Sequence, residues 1–148
     1  MQYQHTQRAP MHYLLWAIAI IQAVAAAMLL DELIIAIILL VSAAIIALFA
    51  ACFMHLTIQD VGDRLTVHYG PLPLFHKTIL YADVTEAKAG RSSLIDGWGI
   101  HYVPSRGWTY NLWGFDCVDL KLGQKSLRIG TDDVSNLLEH LNQQIHTP

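Results

Sequence analysis

MHYLLWAIAIIQAVAAAMLLDELIIAIILLVSAAIIALFAACFM, residues 11–54, carries only two formal charges, Asp31 and Glu32, and they sit together near its middle. The flanking apolar runs, 12–30 and 33–53, each match the ~30 Å hydrocarbon core of a bilayer at ~1.5 Å per helical residue. Helix is the only state open to such a run in lipid, because hydrocarbon gives the backbone no hydrogen-bond partners. An acidic turn at 31–32 must stay at headgroup depth, so the two spans are expected to run antiparallel as a transmembrane hairpin. Leu14, Leu15, Ile18, Ile20, Ile21, Val24, Leu29 and Leu30 each favour insertion by roughly 0.3–0.6 kcal/mol, against the one polar residue Gln22. A cleaved secretory signal ending near Ala25, Ala26 and Ala27 is the rival reading. It is disfavoured by the length of the apolar run and by the second span that follows at once.

Small residues recur every fourth position in both spans: Ala19, Ala23 and Ala27 in the first, Ala43, Ala47 and Ala51 in the second. That spacing lets helix backbones approach. Gln22 and Ser42 lie at nearly equal depth from the turn and are expected to hydrogen-bond across the hairpin or to face a copy in another chain. Outside the spans, the arm 1–10 carries Arg8 and His5, His12 opens the first span, the turn lacks Lys and Arg, and Arg64 follows the second span. The positive-inside rule therefore places both termini and everything after residue 54 in the cytoplasm.

From residue 55 to residue 148 the pattern changes to short alternating runs broken by Gly, Pro, Asn and Asp, the signature of strands joined by turns. Strands are expected at 55–59, 64–69, 74–80, 84–89, 99–103, 108–112, 118–122 and 126–129. Val61, Gly62 and Asp63 turn the first two into a hairpin. Pro104, Ser105, Arg106 and Gly107 supply the turn of a second hairpin between aromatic-rich strands, with Gly97 and Gly99 allowing a bend around Trp98. In 117–130, Val118, Leu120 and Leu122 should share a face with Leu127 and Ile129 across a tip at Gly123 and Gln124. Thr131 reads as an N-cap with Asp132 and Asp133 in the first turn, and Val134, Leu137, Leu138, Leu141 and Ile145 recur at helical spacing. One amphipathic helix, 132–145, should close the domain. The expected class is α+β: a transmembrane helical hairpin followed by an antiparallel β-barrel or sandwich capped by a C-terminal helix.

FHKTILYADV (75–84), DGWGIHYVPSRGWTYN (96–111) and KSLRIGTDDVSNLLEHL (125–141), with the strand order and the final helix, resemble bacterial pleckstrin-homology-like (PH-like) domains attached to a pair of transmembrane helices. The resemblance spans roughly 55–146 and the anchor layout. It implies an interaction or scaffold module in the bacterial cytoplasmic (inner) membrane that binds a membrane protein partner or itself, and it offers no catalytic residue. A lipid-headgroup sensor and an accessory subunit of a membrane enzyme or transporter are the alternatives it leaves.

The chain's formal charge is −3, and beyond residue 54 its remaining 8 Lys and Arg face 10 Asp and Glu. A nucleic-acid partner calls for the opposite balance. Cys52 falls in an apolar run and Cys117 in a strand-like one, and both read as buried thiols. The histidines, His5, His12, His55, His68, His76, His101, His140 and His146, lack the close pairs that zinc sites use, although His68 and His76 could face each other on adjacent strands. No nucleophile motif, phosphate loop or dinucleotide fingerprint occurs, and Asp116 and Asp119 fall on opposite faces of one strand. No enzyme activity, metal or cofactor is therefore expected. Trp98, Tyr102, Trp108, Tyr110 and Trp113 are expected to pair across strands in the core. Alternatively, Trp98, Trp108 and Trp113 with Arg106, Arg64 and Lys77 form a surface that touches lipid or protein.

Overall fold

The computed structural model describes residues 2–72, 74–93, 98–104 and 106–145, so Gly97, Ser105 and His146 lie outside the described residues. A five-residue strand opens the chain where an irregular arm was expected: β1, Gln4–Arg8, pairs antiparallel with β2, His55–Asp60, in the register Arg8↔His55 to Gln4↔Gln59. Between these two neighbours lie α1, Met11–Met28, and α2, Leu33–Cys52. The apolar hairpin is thus spliced into one sheet between paired strands. At ~1.5 Å per residue the helices measure ~27 and ~30 Å, long and apolar enough to cross a membrane. Most of their side chains face outward; Met28 is 79% and Ile34 76% exposed. The turn is four residues, 29–32, rather than two, because Leu29 and Leu30 leave the helix.

The seam between α1 and α2 differs from the expected four-residue pattern. Ala19 and Ala26 on one helix, and Ala36, Ala43 and Ala50 on the other, are buried at seven-residue spacing. Ala23, Ala47 and Ala51 are half-buried beside them and Ala27 points outward. A seam that repeats every 3.5 residues follows the helix axis when two helices cross with a left-handed supercoil, whereas a four-residue stripe drifts off it. Ser42 Oγ lies 3.1 Å from Gln22 Oε1 across this seam and 3.0 Å from the carbonyl of Leu39, so its one proton is shared between the two acceptors.

β3, Arg64–Gly70, and β4, His76–Leu80, complete a first antiparallel sheet of order β1-β2-β3-β4. A one-turn 3-10 helix at Tyr81–Asp83 leads to β5, Glu86–Arg91. β6, Gly99–Val103, β7, Gly107–Asn111, β8, Asp116–Leu122, and β9, Lys125–Gly130, join β5 in a second sheet of order β5-β8-β9-β7-β6. The described strands form two separate sheets and do not close into a barrel. Nor is the second sheet wholly antiparallel, because β7 and β9 pair in parallel from Trp108↔Leu127 to Tyr110↔Ile129. Gly107 makes this approach possible: its φ is +80°, and a Cβ there would overlap the carbonyl of Ser126.

Alternation decides what each sheet buries. Leu56 and Ile58 on β2, Leu65, Val67 and Tyr69 on β3, and Ile79 on β4 meet Val118, Leu120, Leu127 and Ile129 of the second sheet in one core. The last helix, α3, Val134–Ile145, adds Leu137 and Leu141 to it. Its start is two residues later than expected. Thr131 Oγ accepts from the Asp133 N–H at 3.1 Å and so caps the preceding turn, while the Asp133 carbonyl takes the first helical bond, from Leu137.

Candidate functional site

The root of the hairpin is fixed by aromatic packing. At the end of α2 the Phe53 ring lies against Tyr69 (centroids 5.0 Å, edge-on) and Phe75 (5.4 Å), so the helix passes directly into the sheet core. Trp98 and Trp113 stack at 4.4 Å beside it, and Trp98 Nε1 donates to the Gly114 carbonyl at 3.2 Å. An apolar cavity of about 310 Å³ opens here, lined among others by Met11, Leu15, Phe49, Phe53, Trp98 and Leu112. A second cavity, also about 310 Å³, shares the Ala9 and His12 wall and is lined by Arg8, Pro10, Tyr13, Met54 and His55.

The other aromatic pair lies elsewhere. Tyr102 and Trp108 face each other across β6 and β7, edge-on at 5.8 Å, and are 59% and 50% exposed. They border a cleft of about 580 Å³, with Lys77, Leu122, Gln124 and Lys125 on its other sides. Tyr102 and Trp108 thus pair across strands as expected, but on the surface rather than in the core, and the alternative reading of one aromatic surface becomes two. Trp98 and Trp113 belong to the hairpin root, whereas Trp108 joins Lys77 at the cleft. Arg106 lines a separate cavity of about 260 Å³ with Glu86, Lys88, Asp119 and Lys121. Arg64 is bound to its neighbour Asp63, Nε to Oδ1 at 2.7 Å and Nη2 to Oδ2 at 3.0 Å. A basic face of Arg64, Lys77 and Arg106 is not assembled.

A buried polar knot ties the first sheet to α3, and no sequence motif announces it. Asp60 at the end of β2 accepts the Tyr81 hydroxyl at 2.9 Å and the Gly62 N–H at 3.0 Å. Since the phenol proton goes to the carboxylate, the phenol oxygen is left to accept from His140 Nε2, 3.1 Å away on α3. Tyr3 stacks on the His140 ring at 5.5 Å and donates to Asp133 Oδ2 at 3.2 Å, and His5 Nε2 contacts Asp132 Oδ1 at 2.5 Å. Burial, and then the Asp60 carboxylate, push the Tyr81 phenol well above the ordinary range. Burial holds the His140 imidazole below its usual value, with Asp60 opposing. The groups come from four segments far apart in sequence, so only the fold brings them together. Periodicity does place His140 on the buried face of α3, the one signal the sequence carries.

His68 and His76 are register partners on β3 and β4, on the outer face of the first sheet, in the row next to His55. Among the described residues no group of three His, Cys, Asp or Glu side chains could hold a metal ion. Cys52 and Cys117 are both buried free thiols, and burial pushes Cys117 up to about 11, away from thiolate chemistry. No protein-family model matches the chain, and none of the curated proteins matches it either.

Proposed function

We propose that this chain is a membrane-anchored, non-catalytic interaction module of the PH-like kind, held against the cytoplasmic face of a bacterial inner membrane and binding a membrane protein partner or a second copy of itself by strand addition at β6. The observation that carries this reading is the character of the open edges. The edges of the two sheets are β1, β4, β5 and β6. β1 carries Arg8, β4 carries Lys77, and β5 carries Glu86, Lys88 and Arg91, all formally charged side chains of the sort that discourage edge pairing. β6, Gly99–Val103, carries none and lies beside the Tyr102 and Trp108 cleft. An added strand would gain backbone hydrogen bonds along β6 and place a side chain against the free side of the Tyr102 ring, with Lys77 and Lys125 favouring an acidic or carbonyl-rich segment.

The anchor supports the same reading. A domain joined to its membrane helices through two paired strands cannot swing on a tether, so β6 is presented at a fixed height to other proteins in the same membrane. Signal cleavage near Ala26 would remove β1 and strip Tyr3 and His5 from the polar knot, which weighs for a retained hairpin. The test is photocrosslinking in native membranes from residues substituted at Tyr102 and Trp108, with Arg64 as control. Discrete adducts at Tyr102 and Trp108 and none at Arg64 are expected, and an adduct of twice the chain mass would identify self-association. Equal labelling at all three positions, or none, refutes docking at β6.

A further inference from the structure

We infer that the cavity at the root of the helical hairpin, where Arg8, His12, Tyr13 and His55 converge, binds the phosphate of an anionic glycerophospholipid from the leaflet on the domain's side. This rests on the reading of α1 and α2 as membrane spans. Its place in the fold fits a headgroup: Pro10 immediately precedes α1 and Met54 follows α2, so the cavity lies where both helices leave their apolar segments.

Its lining is one-sided in charge. Arg8 and His55 are register partners on neighbouring strands, and no Asp or Glu lines the cavity. Among the described residues Arg8 has no carboxylate partner, whereas Arg64, Lys88 and Arg128 each have one in Asp63, Glu86 and Asp119. Burial and the nearby His68 and Arg8 hold the His55 imidazole below its ordinary value, a crowding of like charge that an anion would relieve. The His55 ring lies over Gly70, in the space that a Cβ there would need.

His12 supplies a buried ring nitrogen. It is 7% exposed, and its Nδ1 lies 2.5 Å from the Ala9 carbonyl. A carbonyl only accepts, so Nδ1 carries the proton of that bond and Nε2 of the neutral ring is left as an acceptor, suited to a headgroup hydroxyl while Arg8 and His55 face the phosphate oxygens. The first turn of α1 has no side-chain cap and its Tyr13 N–H is taken by the Pro10 carbonyl, so the Met11 and His12 N–H groups and the positive end of the dipole add to the same field. Hydrocarbon has a place nearby: the apolar cavity of Met11, Leu15 and Phe49 shares the His12 and Ala9 wall, and Tyr13 and Leu14 face outward at the start of α1.

The experiment uses the full chain in nanodiscs of phosphatidylcholine with phosphatidylglycerol as the minor lipid, followed by native mass spectrometry of the lipid retained on release. Wild type should retain phosphatidylglycerol over phosphatidylcholine by about tenfold, and Arg8→Gln with His55→Gln should abolish that preference, as expected for loss of charge-assisted hydrogen bonds. Equal retention of the two lipids by wild type, or an unchanged preference in the double variant, overturns the site. Displacement of the retained lipid by excess inorganic phosphate would overturn the lipid assignment in favour of a free anion. Should the double variant not fold, a photoactivatable phosphatidylglycerol headgroup on wild type decides: adducts within residues 8–13 or 54–55 support the site, and adducts elsewhere refute it. Failure of wild type to insert at all would instead refute the membrane anchor, which keeps the two readings separable.

Discussion

Tyr81→Phe removes one oxygen atom from the centre of the polar knot and leaves the ring in place. The lost hydroxyl donates to Asp60 Oδ1 at 2.9 Å and accepts from His140 Nε2 at 3.1 Å. Asp60 keeps the Gly62 N–H at 3.0 Å, while Asp60 Oδ2, 3.6 Å from His140 Nε2, is too far to replace the lost partner with a good bond. A hydrogen bond to a charged acceptor contributes about 1.5–3 kcal/mol, and a buried donor left unpaired costs about 1–3 kcal/mol. The polar tip, not the packing, is altered, so the expected loss is about 2–3 kcal/mol. In a β domain of this size that lowers Tm by roughly 10–15 °C. Near-UV circular dichroism of the full chain in detergent reads the melt of the β domain through Trp98, Trp108 and Trp113, with a Trp16→Phe background removing the tryptophan of α1 from the signal. Hydrogen exchange should show the loss spreading to β1, because Tyr3 is stacked on the freed imidazole. Adding Asp60→Asn to Tyr81→Phe should cost clearly less than the sum of the two single changes. A Tyr81→Phe protein within about 0.5 kcal/mol of wild type, with additive effects in the pair, would refute the network.

Acidification should destabilise the domain. His140 and His55 both titrate below the ordinary imidazole value when folded, so the unfolded chain binds their protons first. Their stabilising contribution is complete above about pH 6.5 and is lost as the pH falls towards their folded values. The urea midpoint should therefore drop between about pH 7.5 and 5.5, less steeply in His140→Gln, and a flat or rising midpoint would contradict the burial of these rings. At the β7–β9 seam, Gly107→Ala should cost about 3 kcal/mol or more, since it combines positive φ with overlap of the Ser126 carbonyl. Gly123→Ala, at φ +60° with nothing near its Cβ, should cost only about 1 kcal/mol, so equal effects in denaturant titrations would mean that the close parallel pairing is unimportant.

Much of this chain was legible because its strongest signals are local. The two helices, most strands, the Gly62 and Gly107 turns and the buried face of α3 follow from hydropathy period and turn chemistry, which act between residues a few positions apart. β1 was missed because GlnHisThrGlnArg carries no apolar alternation; it is a strand only because β2 offers it an edge. The parallel pairing of β7 with β9 escaped for a similar reason, since it depends on which of several edges a strand meets after collapse. The alanine seam shows the same division. Sequence located small residues facing small residues, but the choice between a four- and a seven-residue stripe is set by how the two helices wind about each other.

The sequence by itself determined an apolar hairpin of two helices, a strand-rich remainder and a closing amphipathic helix, because each rests on interactions within one segment. Only the tertiary structure decided that the hairpin is an insertion between β1 and β2, that the expected aromatic surface divides in two, and that Asp60, Tyr81, His140 and Tyr3 meet. Those relations join residues dozens of positions apart, and the burial that makes them favourable does not exist until the sheets have packed.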